Sequence, residues 1–514
     1  PVIGASVVEV GTTNGVITDL NGKFSLKVAP NSQFLVSYIG YKQQTIKVGS
    51  ESTYNIVLKE DAEVLDEVVV VGYGSQKKVN VTGAVGMVGA EALEARPVAN
   101  ASQALQGVVP GLNLTVGNNG GALDGTLNMN IRGAGTIGDG SGSSPLVLID
   151  GIEGDLNTVN PNDIESVSVL KDAASASIYG ARASFGVILV TTKSGKSGKT
   201  NVSYSGSARF SDAIGVPDIM DSYTFAQYFN RASANKGGGD IFAPAVMERI
   251  KAYQEGTLKA TTVDNGAGIW QKWANANGDT DWFEEFYDHW APSQEHNLSI
   301  NGGTDKTQYL ISGSFLDQKG LMRHGKDKFQ RYSLNGKITT AVTDWFKVTY
   351  STKWTREDFE RPSYLTGNFF HNLARKWPVH PAYDPNGFPM DEGEVEQMEN
   401  GGKQNSQKDF YTNQLQLVFE PIKNWKINLD GSVRTTTQYQ HWEVLPVYAY
   451  NVAGDPYYTV WDMGYGSYAA GSSRVNEYSW KENYYTTNIY SDYFKQFDNG
   501  HYFKVMAGFN AELY

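Results

Sequence analysis

The chain has 514 residues, 55 acidic against 43 basic side chains, a formal net charge of −12 and no cysteine. Disulfide frameworks, thiolate metal sites and cysteine nucleophiles are therefore excluded, and the acidic balance disfavours a nucleic-acid partner, which needs a basic face against its phosphates. No apolar run approaches the ~18 residues of a helical membrane span, but a barrel strand needs only ~10 residues with every second one apolar, a pattern that averaged hydropathy conceals.

Residues 1–59 read as a small β-sandwich. Strand patterns cover Ala5–Val10, Gly15–Thr18, Lys23–Val28, Gln33–Ile39, Gln44–Val48 and Tyr54–Leu58. Asn14-Gly15 and Asn21-Gly22 supply the positive φ of tight hairpins. Pro1 opens inside a strand-like pattern with no signal peptide before it, so a processed N-terminus is expected.

Residues 60–80 form a linker of different character. Asp61, Glu63, Asp66 and Glu67 precede Val68-Val69-Val70-Val71 and Gly72-Tyr73-Gly74. Four valines favour an extended backbone, and an exposed strand invites β-augmentation by another protein. An ordinary valine-rich linker fits the composition equally well.

Residues 81–195 are mixed α+β. Ala101–Val108 is a short helix ended by Pro110-Gly111. Leu127–Arg132 and Ser166–Leu170 alternate as strands, Pro145–Asp150 is a buried strand, and Asn160-Pro161-Asn162-Asp163 is a turn. Ala173–Tyr179 reads as helix and Gly186–Thr192 as the last strand.

From residue 200 onward, strict alternation recurs, for example Trp425, Ile427, Leu429 and Val433 against Lys426, Asn428, Asp430 and Arg434. A period of two places each set on one face of a sheet. Roughly nine strands are predicted, near 201–211, 293–303, 307–317, 328–340, 345–357, 408–420, 424–437, 483–496 and 500–514. Their connections run long, short, long, short: 303–306, 341–344, 421–423 and 497–499 are the short ones. A transmembrane β-barrel has short turns at one end and long loops at the other. Trp345, Trp354, Trp425 and Tyr439 crowd strand ends as interfacial girdles do. About nine strands do not enclose a domain of ~115 residues, whereas plugged barrels have about 22. The expected barrel is thus incomplete in this chain, with its remainder in further polypeptide.

Several motifs lead elsewhere and fail. Gly133, Gly135 and Gly138 match G-x-G-x-x-G, but Asp139–Pro145 is a loop where a dinucleotide site needs a helix. Ser168–Lys171 matches S-x-x-K without its companion motifs. The seven histidines (His289, His296, His324, His371, His380, His441, His501) read as ordinary loop residues, with no pair at ligand spacing. Glu284-Glu285 and Asp391–Glu396 read as solvated loop faces, with calcium an unspecific option. No paired acid and base is nominated for an enzyme. Tyr364, Phe369, Phe370, Trp377 and Tyr383 suit sugar stacking, membrane girdles or loop packing alike.

Gly15-Val16-Ile17-Thr18-Asp19 and Ser37-Tyr38-Ile39-Gly40-Tyr41 resemble a carboxypeptidase-regulatory-like extension, and Leu65–Gly74 (LDEVVVVGYG) resembles a TonB box. Leu105–Leu112, Ile131-Arg132-Gly133, Leu148-Ile149-Asp150-Gly151, Asn160–Ser166, Val169–Ser175 and Ile178–Ala183 resemble plug signatures. Together these motifs are similar to those of SusC-like TonB-dependent transporters of Bacteroidetes, densely over residues 4–195 and diffusely beyond. The resemblance implies a transport protein rather than an enzyme, a barrel in outer-membrane lipid with a periplasmic N-terminus, and no cofactor. It implies active import of an oligosaccharide, or alternatively a peptide, beneath a SusD-like lipoprotein lid. Energy would come from the TonB–ExbB–ExbD complex through Asp66, Glu67, Val68, Val69, Val70, Val71 and Gly72. A passive porin or adhesin is the contrasting reading, which an exposed pairing strand argues against.

Overall fold

A computed structural model describes residues 2–514 apart from 3, 11, 13, 20, 30–31, 39–40, 50, 59–67, 72–73, 78–83, 95, 97, 117–122, 124–126, 134–143, 460, 463–466, 469–472 and 498–500. Near the N-terminus, β1 (Ser6–Glu9), β2 (Gly15–Ile17), β3 (Gln33–Tyr38) and β4 (Tyr41–Lys47) form one antiparallel sheet in the order β2-β1-β3-β4. Val7, Phe34 and Val36 are its buried centre. The segments 23–28 and 54–58, expected as strands, join no ladder, although Phe24, Leu26, Tyr54, Ile56 and Leu58 pack on that centre. Alternation reports which side chains face the core, not whether the backbone finds a partner, so the described fold is one sheet with two packed segments rather than two sheets.

A hairpin of β5 (Val68–Val71) and β6 (Gly74–Lys77) follows. The next unit contains β7 (Val85–Gly89), β8 (Leu112–Val116), β9 (Leu127–Ile131), β10 (Leu146–Ile149), β11 (Ile152–Glu153), β12 (Ile164–Leu170) and β13 (Val187–Thr192). Five of them form a sheet in the order β11-β10-β13-β12-β7, with only β10 and β13 parallel, and β8 pairs with β9. Helices Ala90–Glu94 and Ala101–Leu105 cover one face, where Leu93, Leu105, Leu156, Ile164 and Ile188 are fully buried. The expected helix at 173–179 ends at Ala176 and gives way to a 3₁₀ segment, Ser177–Ala183, which is itself kinked where Gly180 takes a positive φ of 64°.

The rest is one nine-stranded antiparallel sheet. Its strands are β14 (Gly198–Ser211), β15 (Ala291–Gly303), β16 (Thr307–Lys319), β17 (Lys328–Thr343), β18 (Phe346–Pro362), β19 (Lys403–Ile422) and β20 (Trp425–Val444), each beside the next. Two small hairpins intervene, β21 (Tyr448–Tyr450) with β22 (Pro456–Tyr458), and β23 (Trp461–Asp462) with β24 (Ser467–Tyr468). Then β25 (Arg474–Gln496) joins β20, and β26 (Tyr502–Leu513) joins β25. The nine expected strands are all present, in one sheet and with the expected alternation of connection lengths.

One face of this sheet meets the 84–195 unit, hereafter the plug; the opposite face is apolar on the short-turn side. There Ile311, Leu334, Tyr350, Leu415, Val433 and Ile489 are exposed. Further along the same strands it becomes ionic. Asp317 pairs with Lys328 at 3.0 Å, Arg356 binds Asp409 through two bonds of 2.8 and 2.9 Å, and His441 meets Glu477 at 2.6 Å. β20 has 20 residues and β25 has 23, about twice the ~9–11 that cross a bilayer.

The long connections are themselves folded. Helices Ser222–Asn235 and Pro244–Gln254 pack Ala226, Phe242, Val246 and Ile250 against Val379. Helix Trp282–Phe286 joins Phe369, Leu373, Val395 and Val444 in a second core.

Candidate functional site

Where the plug ends, on the long-connection side, the wall and plug enclose a cavity of about 350 Å³. Ladder register builds its wall from two rows. In the outer row Gln318 lies opposite Phe329, Phe329 opposite Phe359, Phe359 opposite Ser406, and Ser406 opposite Gln440. In the row nearer the plug Arg331 lies opposite Glu357, Glu357 opposite Lys408, and Lys408 opposite Gln438. Gln404 lies among them, and Asn100, Gln103 and Asn157 of the plug form the floor. The lining thus combines amides, two phenyl rings, one charged row and the carboxylate of Asp155 on the plug side. Amides offer both donors and acceptors without net charge, and rings offer flat apolar faces. Nothing in the spacing of these residues distinguished them in the sequence, since inward polar alternation is common to every strand of a wet lumen.

The plug is held to the wall largely through its own backbone carbonyls. Arg331, 3% exposed, donates to the carbonyls of Ala99 and Asn157. Arg209 donates to that of Val98, Arg434 to that of Glu153, and Gln414 to that of Asp150. Two plug carboxylates add charge. Asp150 accepts from Lys353 of β18 and from the backbone and hydroxyl of Thr192 at 2.9 and 2.6 Å. Burial alone would raise its pKa, but Lys353, Lys337 and Thr192 outweigh it and hold the carboxyl well below its ordinary range. Asp163 accepts from Ser312 at 2.7 Å and from Asn335, yet burial pushes it above the ordinary value. Arg182 reaches Glu512 at 2.7 Å on β26. A cavity of about 340 Å³, lined among others by Lys353, Asp163, Asn335 and Arg434, separates the two surfaces.

Of the expected coupling segment, Asp66, Glu67 and Gly72 lie outside the described residues, as does most of the glycine motif after Gly133. Val68, Val69, Val70 and Val71 do not form a lone strand: Val68 is opposite Lys77 and Val71 opposite Gly74. The nearest segment in sequence closes the smallest loop and is the cheapest partner. One edge of the valine strand is thus occupied, and this described sheet has two strands.

The loop residues require further correction. Tyr364 and Phe369 are buried, and Phe370 and Trp377 pack against the loop cores, so these four hold the loops together; Tyr383 remains partly exposed. Glu285 and Glu394 are not solvated faces. Glu394 accepts from Tyr364 and Asn372 at 2.8 Å each and pairs with buried Lys376 at 3.2 Å, which lies 4.5 Å from the Trp282 ring. His380 is fully buried, stacked at 4.5 Å on Trp273, and burial beside Lys376 and Lys272 drives its imidazole well below the usual value. Trp354, expected in a girdle, donates to Asp409 at 3.0 Å midway along β18. Among the described residues no group of three or more His, Asp or Glu is arranged to hold a metal ion.

A family model described as the TonB-dependent receptor plug domain matches residues 77–187, and one described as a CarboxypepD_reg-like domain matches residues 1–70. The TonB-dependent receptor SusC of Bacteroides thetaiotaomicron is 33% identical over 366 residues, covering 69% of this chain and 32% of that protein. TonB-dependent receptor P39 of Formosa agariphila is 31% identical over 382 residues, covering 74% of this chain and 33% of that one. The chain spans about a third of the length of these curated relatives. The RagAB peptide importer in its open-open state superposes with a TM-score of 0.67 at 24% identity, covering 86% of this chain and 48% of its own, a likeness of fold.

Proposed function

Because the chain belongs to the SusC-like TonB-dependent receptors of the outer membrane, we propose that the protein imports a neutral oligosaccharide through a plugged barrel, driven from the periplasm. The observation that carries the cargo class is the chamber above the plug. Its outer row of Gln318, Phe329, Phe359, Ser406 and Gln440 is uncharged, with two adjacent rings flanked by amide and hydroxyl groups. Hydroxyl-rich rings satisfy that lining, with hydrogen bonds to the amides and apolar faces against phenyl. Peptide is the second reading, favoured by Arg331, Glu357 and Lys408 in the inner row. A passive porin does not suit a plug seated by this many buried polar bonds.

The TonB–ExbB–ExbD complex supplies the force in this reading, and a SusD-like lipoprotein covers the long-loop end. TonB engages Asp66–Gly72 by adding a strand. With β6 already on one edge of Val68–Val71, the partner takes the other edge or displaces β6, both instances of strand addition. Proline removes a donor and fixes φ. Val69→Pro therefore leaves surface abundance and cargo binding unchanged and abolishes uptake in whole cells. Normal uptake by the inserted variant overturns the coupling role.

A further inference from the structure

His324 lies in the connection between β16 and β17, on the long-loop side, and is 6% exposed. Each ring nitrogen meets a carboxylate from a different long connection. Nε2 is 2.8 Å from Glu285 on helix Trp282–Phe286, and Nδ1 is 2.7 Å from Glu399 on helix Val395–Asn400. The Phe286 ring stands edge-on at 5.5 Å. An imidazole donates from both nitrogens only when protonated, so this geometry is complete only for the cation.

We propose that His324, Glu285 and Glu399 form a proton-controlled fastener that ties three of the connections together on the long-loop side, closed with the imidazolium and loosened when it becomes neutral. Neutralisation leaves one nitrogen without a proton against a carboxylate, and removes the positive charge that both carboxylates share. The remaining ionisable groups do not replace it. Arg323 is directed to the carbonyl of Tyr287 at 3.2 Å, and its charge lowers Glu285 less than His324 does. Tyr383 hydrogen-bonds Glu285 but carries no positive charge. Glu396, one turn before Glu399, adds negative charge. The adjacent Glu284 is engaged by His289, itself bridged to Asp212 at 3.0 Å, so a second imidazole holds the same helix by the same chemistry.

The electrostatics agree in direction. Burial lowers the His324 pKa, but Glu285 and Glu399 outweigh it and raise the value above 6.5. Burial raises Glu285, which His324 outweighs to hold it below 4.5. A raised histidine value means that the contribution is complete below the unfolded value and is lost as pH rises through the folded one. The fastener is therefore closed on the acid side and opens as pH rises through the raised histidine value. Each pH unit by which pairing raises the imidazole corresponds to about tenfold in the closed-to-open ratio.

Hydrogen exchange of peptides spanning 282–288 and 395–400 tests this on the full-length receptor in outer-membrane vesicles, from pH 5.5 to 9 and corrected for intrinsic rates. Protection is expected to hold on the acid side and then fall by about tenfold or more as pH rises through the raised histidine value, while plug peptides stay constant. His324→Gln should exchange fast at every pH. Glu399→Gln, which keeps the imidazole in place, should move the fall toward lower pH. Protection independent of pH in the unsubstituted protein, or an unmoved profile in Glu399→Gln, overturns the proposal. The readout involves neither cargo nor transport.

Discussion

Replacing Lys353 by methionine removes the cation of the plug–wall pair while retaining most of its stem. The Lys353 and Asp150 side chains keep only 22% and 7% of their exposure, so solvent does little to compensate the abandoned carboxylate. Removing one member of a buried pair costs about 3–5 kcal/mol. Thr192 still donates twice to Asp150, which places the loss near the lower figure, about 3 kcal/mol. At 1.4 kcal/mol per decade this raises the population of unseated plug about a hundredfold. Entry of a bulky, normally excluded antibiotic into cells carrying matched surface amounts of each variant is a direct assay. Lys353→Met should leak at neutral pH, and the leak should shrink in acid as the abandoned carboxyl takes up a proton. Asp150→Asn with Lys353→Met removes both charges and should restore most of the seal. An inserted Lys353→Met receptor as tight as the parent, or a double variant no tighter than the single, refutes the reasoning.

Lys376→Met abandons Glu394 inside the loop core and should cost about 3 kcal/mol there, seen as faster proteolysis of residues 363–402 with the barrel intact. Phe329→Ala should weaken binding of a neutral oligosaccharide about tenfold. That binding should change little between 0.15 and 1 M salt, whereas peptide held by Arg331, Glu357 and Lys408 should be lost. Asp172 caps the helix at 173–176, accepting from Ser175 at 2.7 Å, and bonds to Ser175 and Ala84 hold its carboxyl at about 2. Asp172→Ala should therefore cost the plug about 1 kcal/mol at pH 7. A lowered carboxylate stabilises above its unfolded value, so the difference between variant and parent should fade below pH 4 and vanish near 2 in thermal melts.

The wall was legible because its signal is redundant. β19 and β20 repeat a two-residue period over 20 residues each, and short turns separate them cleanly. The helices Ser222–Asn235 and Pro244–Gln254 escaped notice within a connection read as loop, although Asp221 caps the first and Pro244 opens the second. Caps are single residues and carry little weight without a clear apolar stripe. In the plug, β7 and β8 were missed because the VGMVG of β7 carries two glycines and no period of two, and β8 begins directly after the Pro110-Gly111 break. The chamber was invisible for a different reason. Gln318 and Gln440 are 122 positions apart and are brought into one row only through four ladders. His324 had no local partner either, because both of its carboxylates come from other connections.

The change from apolar to ionic on the outer face of the wall sets a height for everything inside. Asp317, Lys328, Arg356 and Asp409 belong to the stretch of wall that stands clear of hydrocarbon, and their strand neighbours Gln318, Phe329, Glu357 and Lys408 line the chamber. Under the proposed function, cargo would then be held above the lipid, in a collar with water on both sides, and the plug would fill the storey below. Recognition and insulation would fall in separate storeys of one structure, leaving the lining of the upper storey free to diverge toward new cargoes without disturbing either the lipid seal or the barrier to leakage.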